Sequence, residues 1–433
     1  MNEPNDEPPA SGKPRSGTCW LHIGMHKTGS TSIQENLASI KDPQGWRYVT
    51  VVDGANMGQA LYAMFAARPH EFHWFKKQGK TAEQVAKRGA RLRGKLANTL
   101  ASHAGHDVII SAEALSLMDR RGIAALKRFL TPHFGAIKVT AYVRAPEGFM
   151  NSAFQQQLKH GKARFHFGGV RPKYRRRFHK FDRVFGRKNV ILRKFDPSSF
   201  PNGCIVEDFC RMLGIQGPPP GSVRRVNESL CREACGILFA YRKFGPGFGV
   251  GRTVVRENNW IVEALAAMNG RKFVVSDEVL RKFIRAKDRR WMEKRLGESI
   301  GDAQVAASDT VASEDDLLII RRSSCMEFAA RFREIHGVRI PWWRIPKGDP
   351  VNPRKVARML EYCRRIARNR LRITDGNPGL DPNSWKSFIL RFPPARMGIR
   401  WVEGKIQALR GGKVAVPEGD ESTEPAPDRR SAR

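Results

Sequence analysis

The segment LHIGMHKTGSTSIQ, residues 21–34, decides how the chain is read: a hydrophobic run breaks there into a glycine-bounded loop and resumes as a polar stretch compatible with a helix. Residues 19–23 read as a buried strand, Gly24 and Gly29 bound a turn of four residues, and Ser30, Thr31 and Ser32 stand where a helix begins. At such a junction the unpaired N–H groups of the first helical turn and the positive end of the helix dipole converge. That spot favours an oxyanion.

Against the nucleotide-hydrolase pattern G-x-x-x-x-G-K-[ST], the glycines are correctly spaced, but Ser30 stands in the lysine's place and the lysine lies inside the loop, at Lys27. A lysine after the second glycine reaches the β and γ phosphates of a triphosphate, whereas one within the loop touches a nearer group. The run Lys27-Thr28-Gly29-Ser30-Thr31 resembles the 5′-phosphosulfate loop of the sulfotransferase family, in which lysine followed by Thr-Gly-[ST]-[ST] holds 3′-phosphoadenosine 5′-phosphosulfate (PAPS). The competing reading is a tight strand-to-helix turn with incidental hydroxyls.

Working outward, residues 46–52 (WRYVTVV) predict a second strand ending at Asp53, and residues 59–67 and 81–103 predict helices, the latter with Val85, Leu92, Leu96 and Leu100 at helical spacing. Residues 108–111 (VIIS) predict a short strand buried on both faces, with Glu113 just past its end. A helix over 123–130, a strand over 136–143 closed by Arg144-Ala145-Pro146, a helix over 147–159 and a strand over 189–192 follow. Strand and helix alternating at these spacings imply an α/β fold, a P-loop-type parallel sheet flanked by helices. Ligands bind such sheets outside the carboxyl ends of the strands, where Lys27, Asp53, Glu113 and Arg144 all fall.

Arg144 and Ser152 carry a second resemblance. In sulfotransferases an arginine closing this strand and a serine eight residues later grip the donor's 3′-phosphate. A guanidinium fork and a hydroxyl two helical turns on suit that task. The stretch 189–215 and Arg225-Val-Asn-Glu-Ser-Leu230 are also similar to the family, so the resemblance covers about residues 18–300. Many bacterial relatives place Asn-His after the second strand, whereas here Met57 follows Asn56, and a base from that histidine is missing.

The chain has 433 residues, enough for one large α/β domain with additions. Its formal net charge of +35 draws in polyanions, nucleotides and anionic membrane surfaces. No zinc-finger spacing, RNA-binding aromatic signature or basic zipper accompanies that charge, so no specific nucleic acid is expected. Seven scattered cysteines, without a metal-type cluster, read as reduced thiols. No signal-peptide core or run of eighteen apolar residues is present, so a soluble, cytoplasmic protein without a transmembrane segment is expected.

Two basic stretches and a glycine-rich one remain. In 174–193, Phe178, Phe181 and Phe185 recur as the buried stripe of a helix whose other face is basic. Residues 245–252 (GPGFGVGR) form a loop over the site or a linker. Residues 354–373 predict an amphipathic helix with an arginine-rich face: packed and solvated, docking an acidic acceptor, or in peripheral contact with a membrane.

The expected organisation is a tail over 1–17, a sulfotransferase-like P-loop domain over 18–302, a linker or surface loop over 303–316, a mostly helical basic extension over 317–411 and a tail over 412–433. The resemblance implies in-line transfer of a sulfuryl group from PAPS, the anionic nucleotide donor, to an acceptor hydroxyl or amine. The acceptor stays open among glycan, lipid, peptide and phenol. Lys27, Thr28, Gly29, Ser30 and Thr31 would hold the 5′-phosphate, Arg144 and Ser152 the 3′-phosphate, and no metal is implied. Glu113 is the first choice of base, Asp53 the second, and His70 and His73 follow; a carboxylate capping the next turn is the other reading of Glu113. Two alternatives stand: a P-loop kinase with a displaced lysine, and a catalytically silent polyanion-binding protein of the same fold.

Overall fold

The computed structural model describes residues 17–41, 43–219, 221–223, 229–249, 252–301 and 309–376. Within them five strands form one all-parallel sheet: β1 (Thr18–His22), β2 (Trp46–Tyr48), β3 (Asp107–Ser111), β4 (Ala136–Val143) and β5 (Val190–Lys194), in the spatial order β2-β3-β1-β4-β5. β1 is first in sequence and central in space, with Cys19 opposite Val108 of β3 on one side and Ile137 of β4 on the other. Val108, Ile109 and Ile110 are fully buried, as are Val139, Ala141 and Val143. The continuous apolar runs arise because both faces of a parallel sheet are covered.

β4 has the bounds expected from sequence, but the strand expected over 46–52 is only three residues long. Val49 still donates its N–H to Ile109 at 2.9 Å, whereas the N–H of Val51 turns to the sulfur of Met57 at 3.3 Å and the backbone leaves the sheet. Both valines are buried. Their β-branched side chains serve packing rather than pairing, which the local pattern does not distinguish. Asp53 therefore lies in a loop, five residues beyond Tyr48. β5 starts one residue later than expected and runs on to Lys194.

Around the sheet lie α1 (Ser30–Ala38), α2 (Gly58–Phe65), α3 (His73–Lys77), α4 (Ala82–Ser102), α5 (Arg120–Leu130), α6 (Pro146–Lys159), α7 (Tyr174–Phe185) and α8 (Ile205–Leu213). α4 opens on a capping box in which the Thr81 hydroxyl accepts from the Gln84 N–H at 3.2 Å and the Gln84 side chain accepts from the Thr81 N–H at 3.3 Å. A cap of this kind stabilises a helix by about 1 kcal/mol. α1 and α8 pack together on the sheet, burying Ile33, Leu37, Val206 and Phe209 against Trp20, Ile109 and Tyr142. Within that apolar layer Asp208, fully buried, accepts from the Tyr142 hydroxyl at 2.7 Å and from Arg193 at 2.6 Å. Removing the hydrogen-bond donors of this carboxylate would leave a buried charge unpaired, which is destabilising.

The chain continues through α9 (Arg232–Phe244), α10 (Arg252–Ala266), α11 (Asp277–Arg281), α12 (Ala286–Leu296), α13 (Glu314–Leu318), α14 (Arg322–His336) and α15 (Pro353–Gly376). It divides into two compact units, one of residues 1–249 with 262–361, the other of 250–261 with 362–433. In the first, Val275 and Val311 form a parallel bridge and α13 packs on α9. In the second, the Arg368 guanidinium grips the buried Glu257 carboxylate with two bonds of 2.8 and 3.0 Å. Val356, Met359, Leu360 and Cys363 of α15 are buried, as the amphipathic pattern predicts. All seven cysteines are free thiols. Residues 1–16 of the first expected tail, the tail over 412–433, the part of the basic extension beyond 376, residues 303–308 of the expected linker, residues 250–251 of the glycine-rich loop and most of the Arg225–Leu230 stretch lie outside the described residues. Among the described residues no helix is long and apolar enough to cross a membrane.

Candidate functional site

The loop after β1 is wound by its own hydroxyls. Thr28 and Ser30, both buried, donate to the carbonyl oxygen of Met25 at 2.6 and 3.3 Å. Gly29 enters α1 with φ +72°, and a Cβ there would meet the Ile205 side chain of α8 at 3.1 Å. Both the left-handed backbone and the close approach require glycine. No side chain caps α1 and no acidic residue stands in its first turn, so this helix end offers its N–H groups and dipole to an anion.

Lys27 is the strained member. Its φ of +67° costs a side-chain-bearing residue roughly 1–2 kcal/mol. Two contacts offset that cost: its carbonyl accepts from Arg144 Nη1 at 2.8 Å, and its Nζ donates to Gln156 Oε1 on α6 at 2.7 Å. Ser152, half-buried, stands one helical turn before Gln156 and so on the same face of α6. Arg144 is held in turn, its carbonyl accepting from the Tyr174 hydroxyl at 2.6 Å and its guanidinium lying 5.5 Å from the Phe195 ring. Lys27 to Thr31, Arg144 and the face of α6 that carries Ser152 are thus brought together. Beneath the loop, Ser111 accepts from Gln34 at 2.9 Å and sits 2.8 Å from His22 Nδ1, tying the ends of β1 and β3 to α1.

Beside the loop opens a crevice of about 480 Å³ whose walls include His26, Asp53, Asn56, His73, Arg88 and Glu113. Glu113 begins a short 3-10 turn, Glu113–Leu117, directly after β3. Its carboxylate lies 3.8 Å from His26 Nε2, within ion-pair reach but too far for a hydrogen bond. The Nδ1 of His26 is buried with no partner among the described residues. Desolvation first, then the charges of Arg177 and Lys27 and the ring of His73, lower the His26 pKa to about 3. The ring is therefore neutral at pH 7 and a weaker base than a free imidazole, which leaves the Glu113 carboxylate beside it as the better-suited proton acceptor of the two.

Glu113, just past β3, and Asp53, in the loop after β2 rather than at a strand end, both line the crevice, and His73 lines it too, whereas His70 is not among its lining residues. Sequence reasoning passed over His26, Gln156 and Arg177. His26 sits in the quoted loop but carries no period or motif. Gln156 could have been found as the residue one turn after Ser152. Arg177 donates from α7 to Ser116 in the Glu113 turn at 3.1 Å and to the Pro172 carbonyl at 2.6 Å, a placement that a basic helix face does not announce. Among the described residues no group of three or more His, Cys, Asp or Glu is placed to hold a metal ion.

Comparison of the chain with protein-family models, curated proteins and solved structures finds no match.

Proposed function

We propose that the protein is a sulfotransferase that takes a sulfuryl group from PAPS and passes it to an acceptor hydroxyl or amine. The observation that carries this reading is the position of Lys27, inside a loop at an uncapped helix N-terminus, bonded to Gln156 on the face of α6 that bears Ser152. That arrangement suits a donor with a sulfated 5′-phosphate on the loop and a 3′-phosphate at Arg144 and Ser152, with a guanidinium giving the phosphate its fork.

In the reaction Glu113 accepts the proton of the acceptor hydroxyl as its oxygen bonds to sulfur, with His26 beside it. The bond from sulfur to the 5′-phosphate oxygen breaks, and the electron pair leaves with that oxygen. Lys27 and the first N–H groups of α1 stabilise the charge that develops there. The products are a sulfate ester and 3′-phosphoadenosine 5′-phosphate. By analogy with phosphoryl transfer, the remaining task of the protein is alignment.

Thermal denaturation with added nucleotide tests the reading, because a ligand that binds only the folded state raises Tm. 3′-Phosphoadenosine 5′-phosphate should raise Tm far more than ATP with magnesium. Equal shifts, or a larger one with ATP, would replace this reading with that of a kinase carrying a displaced lysine. A shift with neither nucleotide would leave a polyanion-binding protein without transferase activity.

A further inference from the structure

α7 turns Tyr174, Phe178, Phe181 and Phe185 into the core, and its opposite face does not lie open as a convex solvated surface. It forms one wall of a groove of about 780 Å³, faced by the segment around Arg171 and Lys173 and by α12 with the residues before it. Ten of the lining residues are Lys or Arg and one, Asp288, is acidic. The Asp288 carboxylate is already engaged, accepting from the N–H groups of Tyr174 and Arg175 at 2.8 and 2.9 Å. It caps α7 and leaves the side-chain cations unmatched. Arg289 pairs with Glu147 and Glu293, but Lys173, Arg175, Arg176, Arg285 and Lys287 have no carboxylate partner among the described residues.

Cations gathered into one concave surface repel one another, and counter-ions or an anionic ligand must relieve that repulsion. Lys173 registers the field directly: after desolvation, the charges of Arg176, Arg171, Arg177 and Arg285 lower its pKa. The groove also borders the machinery already described. Tyr174 in its wall donates to the Arg144 carbonyl, and Arg177, one turn of α7 further on, reaches the Glu113 turn.

The lining decides which polyanion fits. Single-stranded nucleic acid is held by stacking bases on exposed aromatic rings. The ring of Tyr174 is buried with its hydroxyl engaged, and that of His179 stands edge-on to Trp291 at 6.1 Å. Among the described lining residues these are the two rings against ten ammonium and guanidinium groups, a balance that favours sulfate and carboxylate groups spaced along a chain over stacked bases.

We propose that the groove between α7 and α12 binds an anionic oligosaccharide, bearing sulfate or carboxylate on successive sugars, and that this chain is the acceptor of the transfer reaction. The acceptor role rests on the sulfotransferase reading; the binding site does not.

The test is titration calorimetry on the full chain with three probes: a heparin-derived hexasaccharide, an oligothymidylate of equal charge, and 3′-phosphoadenosine 5′-phosphate. The hexasaccharide should bind more tightly than the oligothymidylate. The double variant Arg175→Glu/Arg285→Glu should weaken hexasaccharide binding by at least about tenfold, because each lost cation removes counter-ion release and a charge-assisted contact. The same variant should keep the nucleotide affinity and Tm of the parent, which separates groove binding from misfolding; Arg176→Gln and Lys287→Gln, milder changes, should each weaken the hexasaccharide alone. Undiminished hexasaccharide binding in the double variant, or tighter binding of the oligothymidylate, would overturn the proposal. If the hexasaccharide binds in the groove and the nucleotide fails to bind at all, the site stands and only its acceptor role falls.

Discussion

The loop after β1 and the groove beside α7 are both rich in cations and use them in opposite ways. Lys27 and Arg144 bond to Gln156 and to the Lys27 carbonyl, and Arg177 donates to Ser116 and Pro172. In the groove, Arg175, Arg176 and Arg285 have side chains with no carboxylate partner among the described residues. A cation bonded to its own chain holds geometry, and its removal is felt in stability as well as in binding. A cation without such a bond acts through its field, and its removal is felt by the ligand.

The sharpest test of the bonded set is turnover. Lys27→Met should lower it by about 10²–10³-fold, the usual consequence of losing one donor aimed at developing charge. Glu113→Gln keeps shape but removes basicity, and should cost about a hundredfold or more with donor affinity intact. If turnover survives Glu113→Gln and vanishes in His26→Gln, the imidazole is the base; if it survives both and vanishes in Asp53→Asn, the base belongs to the loop after β2. Steady-state assays with labelled PAPS decide among these.

Arg144→Ala comes next. It should weaken 3′-phosphoadenosine 5′-phosphate by about 2–3 kcal/mol, and adenosine 5′-phosphosulfate, which has no 3′-phosphate, by clearly less. Because the Lys27 carbonyl loses its donor, stability should also fall, by about 1 kcal/mol. Arg176→Ala in the groove should stay within about 0.5 kcal/mol of the parent in denaturant titrations. Equal losses of stability at the two positions would erase the contrast.

Acid should weaken the region around the loop. Burial lowers the His22 pKa to about 4, and desolvation with neighbouring charges lowers that of His26 to about 3, both below the ordinary 6.5. The unfolded chain therefore binds more protons between about pH 6.5 and 3. Stability contributed by these rings is full above 6.5 and is lost as pH falls through that window. The dependence of Tm on pH should flatten in His26→Asn, and an unchanged slope would mean that the ring is protonated in the folded chain.

The smallest effect is proton uptake in the groove. Desolvation, then Arg177 and Arg176, lower the Lys180 pKa to about 7, so a bound polyanion should draw a fraction of a proton onto it near neutral pH. Calorimetry of hexasaccharide binding in buffers of different ionisation heat reads that fraction directly, and heats independent of buffer would place Lys180 outside the ligand's field.

What could be read beforehand was what local chemistry dictates. β4 and the loop-to-α1 junction announce themselves through an apolar run closed by Arg144-Ala145-Pro146 and through glycine and hydroxyls at a helix start. β2 was overestimated because Val49 and Val51 look alike whether they pair or pack. His26, Gln156 and Arg177 escaped because their meaning lies in partners distant along the chain. The groove escaped for a related reason: Phe178, Phe181 and Phe185 correctly predict which face of α7 is buried, but nothing in that period says that α12 will stand opposite the other face.

The central place of β1 has a consequence for biosynthesis. His22 meets Ser111 across 89 residues, Lys27 meets Arg144 across 117 and Gln156 across 129. A chain emerging from the ribosome at about 5–20 residues per second must carry its first strand for roughly 10 seconds before any of these partners exists. Loop closures of this length make folding slow. During that interval Trp20, Leu21 and Ile23, all buried in the finished fold, have α1 but neither flanking strand to cover them, so the segment that founds the fold is exposed to misassociation until β3 and β4 arrive.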